Sequence, residues 1–244
     1  MCVAVIDFAL QEDDAVFQHQ ITERQRTLPL VILVVVFNRQ RIDVTAEYRG
    51  RLAGAIRDAV LSRDDQLCTN GCDAALVGPD YEVIPALITV VQSKRDRQVA
   101  TAAQTMVELT QQLRDELNRA KDPRERRDPQ LALAHVSTTL ESAVRQYANH
   151  KRTEILTAFL NLAGRDNATL KRILRDPADP AHKECVQLLS HSPRPAMVRL
   201  AISFLEDTRA PQAALQISAC RKDDLFMQHL LQTVGDDPSP GIRG

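Results

Sequence analysis

The chain has no tryptophan, and aromatic residues fill only 4% of its 244 positions. An interior built around rings is thereby excluded. Ala, Leu, Val and Ile must fill it, which suits helices lying close together in layers. Charge of one sign is missing too. The 31 Lys and Arg against 32 Asp and Glu leave a net −1, so there is no global basic field to drive sequence-independent nucleic-acid binding. The five cysteines, Cys2, Cys68, Cys72, Cys185 and Cys220, are odd in number and scattered. That is no disulfide framework, and it points to a reducing, cytoplasmic compartment. The longest apolar run, LPLVILVVVF at 28–37, is ten residues long, too short to span a bilayer, so no membrane insertion is expected. The opening MCVAVIDFALQEDD lacks the basic n-region of a secretory signal. The eight glycines are scattered and form no phosphate-cradling loop.

What is present is helical spacing. Val99, Ala102, Ala103, Met106, Thr110 and Leu113 recur at i, i+3, i+4 and i+7, with Thr101, Gln104, Glu108, Gln111, Gln112 and Asp115 opposite them. The spacing predicts an amphipathic helix from about 98 to 117. The apolar DYEVIPALITVVQ before it ends at the charged turn 94–97, so the two make an antiparallel hairpin.

The unit recurs, as repeat architectures require. Upstream, Pro29 falls over Pro85, and Val44, Tyr48, Leu52, Ala55, Ile56 and Ala59 form an apolar stripe. The β-branched content of 28–37 suits a buried strand, but its place in the repeat argues for a buried first helix. Downstream, Leu133, Val136, Leu140, Val144 and Tyr147 precede Ile155, Ala158, Phe159 and Leu162. Then Cys185, Leu188 and Leu189 precede Val198, Ala201, Ile202 and Leu205. In the last unit, LFMQHLLQTVGDDPSPGIRG, Ile242-Arg243 echoes Val198-Arg199 and the chain stops where a second helix should start. That is either an incomplete repeat or a piece of a longer polypeptide, and the second is favoured. Asp-Pro pairs at 122, 128, 176, 179 and 237 mark helix starts. The charged NRAKDPRERRDP at 118–129 reads as a linker or inter-repeat loop. No strand alternation with hairpin turns occurs. The fold class is all-α, with 1–20 a cap or poorly ordered segment and helical repeats over 21–244.

Pro85-Ala86-Leu87 followed by Asp96, Val99, Ala102, Ala103, Met106 and Leu109 resembles the HEAT repeat, whose second helix reads D-x-x-V-R-x-A-A-x-x-L-x-x-L. Pro195, Val198, Arg199, Ala201 and Leu205 match it in part. Ala100 stands where the family has Arg, so the family's Asp–Arg ladder is broken there. The resemblance implies a right-handed α-α superhelix (α-solenoid) of antiparallel helix pairs, armadillo-like in outline, whose second helices line a concave surface. Thr101, Gln104, Glu108, Gln112, Thr157 and Asn161 would line it here, beside the ordinary reading of each as a solvated polar residue.

Catalytic chemistry is hard to place on this sequence. Cys68-Thr-Asn-Gly-Cys72 has a metal-like spacing but no second ligand pair, so it reads as a loop with a glycine turn and two incidental thiols, and no metal or cofactor is expected. The six histidines are isolated, with no His-Glu dipeptide, which argues against the HEAT-like di-iron hydroxylases. Too few aromatics and balanced charge argue against the HEAT-like alkylbase glycosylases and against nucleic acid as a partner. Ser190 and Ser203 near His191 lack any triad pattern. The expectation is a non-enzymatic scaffold that binds a protein or peptide. The alternatives are an enzyme accessory or lyase-type repeat protein holding a small molecule or chromophore, and a regulatory module of a larger polypeptide.

Overall fold

A computed structural model describes residues 46–93, 96–205, 207 and 209–236. Among the described residues every regular element is helical: α1 Ala46–Leu61, α2 Asp65–Val77, a 3-10 turn Tyr81–Val83, α3 Ile84–Gln92, α4 Asp96–Arg119, α5 Pro123–Arg145, α6 Tyr147–His150, α7 Thr153–Leu162, α8 Ala168–Arg175, α9 His182–His191, α10 Pro195–Leu205, α11 Ala213–Cys220 and α12 Asp224–Asp236. The all-α class is as expected from the sequence. None of these helices is long and apolar enough to cross a membrane. The run 28–37, the cap 1–20 and the pair Ile242-Arg243 lie outside the described residues.

Short polar turns set the path. Asp64 caps α2 by accepting the Leu67 N–H at 2.9 Å, and Asp80 accepts the Glu82 N–H at 3.0 Å before α3. Connections this short fold successive helices back antiparallel. In one layer α2 packs on α4, α4 on α7, α7 on α10 and α10 on α12. Across from it α1 packs on α3 and α3 on α5, and further along α9 packs on α8 and α11. The core runs between the layers, from Ile56 and Cys72 through Leu87, Met106, Leu140, Leu156 and Leu189 to Phe226. All of it is aliphatic, thiol or thioether apart from a few rings, in keeping with the missing tryptophan.

Four expectations change. The 68–72 stretch is not a loop: it lies inside α2, where Gly71 is a contact point rather than a turn. A Cβ on Gly71 would lie 2.8 Å from the Val60 backbone nitrogen and 2.9 Å from the Ala59 Cβ. Only glycine lets α1 and α2 approach so closely. Gly71→Ala gains the helix propensity of alanine, about 1 kcal/mol, but forces the two helices apart. We expect a net loss of about 1–2 kcal/mol in urea unfolding, and an unchanged or higher midpoint would disprove the close contact.

The expected linker 118–129 is mostly helix. Only 120–122 joins α4 to α5, and residues 123–129 belong to α5. Arg126, Arg127 and Asp128 are exposed on it. The Asp-Pro rule holds in part: Asp122-Pro123 opens α5, whereas Pro129 sits inside it and Asp176-Pro177 follows α8. Asp179-Pro180 precedes α9, with the Asp179 carboxylate accepting from the Ala181 N–H at 2.9 Å and pairing with Arg172 at 2.6 Å. Finally, α12 was expected as the first helix of a last pair. It packs on α10 while α11 packs on α9, so α11 takes the first-helix place and α12 the second.

Candidate functional site

The expected face sits mainly on α4. This 24-residue helix buries Val99, Ala102, Ala103, Met106, Leu109 and Leu113 against α2, α3, α5 and α7. Its remaining stripe carries the predicted polar side chains. Gln104 is exposed, and Thr101, Glu108, Gln111, Gln112 and Asp115 are half-buried.

The stripe is ordered by its own hydrogen bonds. Gln104 Nε2 donates to Glu108 Oε1 at 2.9 Å, and Gln111 Nε2 donates to Asp115 Oδ1 at 3.1 Å. Both pairs are one turn apart, the spacing at which helix side chains meet. Each pair spends an amide donor internally and leaves oxygens over. The Oε1 atoms of Gln111 and Gln112 are occluded from water and accept no hydrogen bond. Both oxygens are closed off by the packing, so the acceptors this face offers a ligand are the remaining lone pairs of the half-buried Glu108 and Asp115 carboxylates, which suit N–H donors.

Thr157 and Asn161 are not on this face. Both are buried, because α7 is covered by α4, α5, α9 and α10 and shows no solvent side from Ile155 to Leu162. Its sequence, TEILTAFLNL, is apolar nearly all round, the mark of a buried helix. Asn161 works as a fastener instead. Its Nδ2 donates to the Val107 carbonyl at 3.2 Å and to Thr110 Oγ1 at 3.1 Å, tying α7 to α4. The Asp115–Arg199 ion pair, at 3.8 Å, links α4 to α10, the two helices that flank α7.

Sequence reasoning missed a set of arginines that close helix C-termini. The last turn of a helix leaves carbonyls without intrahelical partners. Arg114 Nε donates to the Asn161 carbonyl at 2.9 Å and its Nη2 to the Leu162 carbonyl, closing α7. Arg126 donates to the Ala120 carbonyl beyond α4 at 2.6 Å, and Arg165 to the Ser203 carbonyl in α10 at 3.3 Å. Arg221 closes α9 through Leu189 and Ser192. Burial, and then the neighbouring Arg199, push the Arg114 pKa down. A signal for Arg114 was present: it lies one turn after Thr110, on the buried side of α4. Arg221 carried none.

Elsewhere the polar groups are structural. The Cys68 and Cys72 thiols touch one turn apart, and that hydrogen bond, with burial, pushes the Cys72 pKa well up, leaving an inert protonated thiol. Burial does the same to Cys185. His150 Nδ1 accepts the Arg152 N–H at 3.0 Å, which makes its Nε2 the donor to the Ala143 carbonyl at 3.0 Å. His182 Nδ1 meets the Ile173 carbonyl at 2.7 Å and must donate there. No group of three or more His, Cys, Asp or Glu among the described residues could hold a metal ion.

No protein-family model matches the chain, and no curated protein and no solved structure matches it. The reading therefore rests on the residues. A cleft of about 270 Å³ lies between the 3-10 turn and the first half of α5. Tyr81, Leu131 and Val136 line it, with Glu82, Asp128 and His135 alongside.

Proposed function

We propose that the chain is a non-enzymatic interaction scaffold of the HEAT type, a right-handed superhelix of antiparallel helix pairs that holds a protein or peptide partner along α4. The observation that carries this is the α4 stripe itself. Its polar side chains are pre-ordered by i,i+4 pairs, and the half-buried Glu108 and Asp115 carboxylates keep acceptor capacity beyond those bonds. Pre-ordering lowers the entropy cost of binding, and the surplus acceptors favour an extended main chain or a segment bearing Lys and Arg. The order α2, α4, α7, α10, α12 in one layer supports the superhelix. The Asp115–Arg199 pair across α7 gives it tight curvature, so the partner contacts α4 and α10 rather than α7. Thr101, Gln104, Glu108 and Gln112 are the contact residues, and a cytoplasmic setting belongs to the same reading.

The test is selection of peptides from a random library on the full chain, followed by titration against variants. Glu108→Lys and Gln112→Ala together should weaken selected peptides by roughly 30-fold, the loss of about 2 kcal/mol at a contact hot spot. Gln187→Lys, on an exposed position of α9, should change nothing. Binders indifferent to Glu108 and Gln112, or turnover of a defined small molecule, would remove the proposal.

A further inference from the structure

We propose that the cleft between the 3-10 turn and α5 binds a small organic cation, an amine carried on a short apolar body. The register of α5 makes the site. Asp128, Leu131, Ala132, His135 and Val136 all line the cleft, and they recur at i, i+3, i+4, i+7 and i+8, one face of the helix. Further along that face Leu140 is wholly buried. In the first half of α5 the same face opens onto the cleft, across from the 3-10 turn. At about 270 Å³ the cleft falls just under the ~300 Å³ at which sites for drug-sized ligands begin, so its ligand is small.

Leu131, Ala132 and Val136 call for an apolar body, and Tyr81 adds to them. The Tyr81 hydroxyl is closed off from solvent, so this side chain offers the cleft carbon atoms rather than a hydrogen-bonding group.

The acids call for positive charge. Glu82 and Asp128 line the cleft, and among the described residues no Lys or Arg does. Acids elsewhere are spent internally. Glu141 accepts from Asn167 and Thr169, Asp179 pairs with Arg172 and Asp223 with Arg221. The Glu82 and Asp128 carboxylates, by contrast, are held by no ion pair and no hydrogen bond among the described residues. Their surroundings add more negative charge. Burial and the Glu82 charge push the Asp80 pKa up, against the Glu82 N–H that Asp80 accepts. Burial, and then Glu116 of α4, do the same to Tyr81. An apolar hollow with two uncompensated carboxylates attracts a cation and repels an anion. An ammonium there gains charge-assisted hydrogen bonds that a neutral group of the same shape cannot make.

The test uses the full chain and three probes of similar shape: benzylamine, benzyl alcohol and benzoate, compared by saturation-transfer NMR. Benzylamine should bind with a Kd of about 1 mM or tighter, ordinary for so small a ligand. The alcohol should bind at least ~10-fold more weakly, for want of a charge-assisted hydrogen bond, and benzoate should not bind. Glu82→Gln with Asp128→Asn alters two exposed positions and should leave the helical circular dichroism unchanged. It should nonetheless weaken benzylamine at least ~10-fold. Glu154→Gln, at an exposed acid on α7, should change nothing. A benzylamine Kd above ~10 mM, or binding no tighter than the alcohol's, overturns the proposal. So does a double variant that binds benzylamine as well as the unaltered chain, or an equal loss from Glu154→Gln. These variants leave Glu108 and Gln112 in place, so the peptide surface on α4 is tested separately.

Discussion

Replacing Arg221 by Met should cost about 3–5 kcal/mol of unfolding free energy, the range for breaking one side of a buried ion pair. Arg221 is only 4% exposed and joins three helices. Its Nη1 closes α9 at the Leu189 carbonyl and its Nη2 does so at Ser192, 2.8 Å away. Its Nε pairs with Asp223 Oδ2 at 2.8 Å. The other Asp223 oxygen caps α12 through the Phe226 N–H at 3.2 Å, and the guanidinium lies 6.0 Å from the Phe226 ring centre. Methionine keeps most of the volume but leaves the carbonyls unpaired and the Asp223 carboxylate uncompensated. Arg221→Lys should recover less than half of the loss, because one ammonium cannot reproduce a planar fork with separate partners. Urea unfolding followed by circular dichroism measures both, and a loss under about 1 kcal/mol for Met would show that water serves these carbonyls as well. Asp223→Asn in the Met background should restore part of the stability by removing the stranded charge.

The second large effect is at Arg114, where Met should cost about 2–3 kcal/mol. The hydrogen bonds lost are charge-assisted ones to the Asn161 and Leu162 carbonyls, worth more than neutral pairs. They also sit at the negative end of α7, where a cation is favoured. Relief of the repulsion from Arg199 offsets a little of this. Asn161→Ala removes the reverse bonds, from α7 to Val107 and Thr110. Because the two side chains fasten the same helix pair, the double variant should lose less than the sum of the singles by at least ~0.5 kcal/mol. Strict additivity would mean that the fasteners act separately.

Where periodicity was long and unbroken, the residues told the fold. The α4 stripe is buried from Val99 to Leu113, and Val136, Leu140, Val144, Tyr147, Ile155, Ala158 and Phe159 are all interior. The short helices were invisible for physical reasons. Residues 65–77 carry Thr, Asn and Gly in succession, weak helix formers, and hold a helix because Gly71 fits against α1. At 168–175, Leu170, Ile173 and Leu174 show helical spacing, but eight residues are too few to separate it from chance. The candidate face was half legible. Pattern alone put Thr101, Gln104, Glu108 and Gln112 off the buried stripe of α4, where Gln104 is exposed and the other three are half-buried. It failed for Thr157 and Asn161, whose surroundings depend on α10, a helix more than thirty residues away that no local period can announce. The arginine closures failed for the same reason, since their partners are backbone atoms, which carry no residue identity.

The buried state of α7 carries a consequence for how the molecule comes apart. An array in which each pair touches only its neighbours can fray from either end, one unit at a time. Here the middle helix is enclosed by α4, α5, α9 and α10, so neither flank can leave without exposing it. Amides from Ile155 to Leu162 should therefore exchange only when the whole chain opens. The helices that enclose α7 and α7 itself therefore open as one unit.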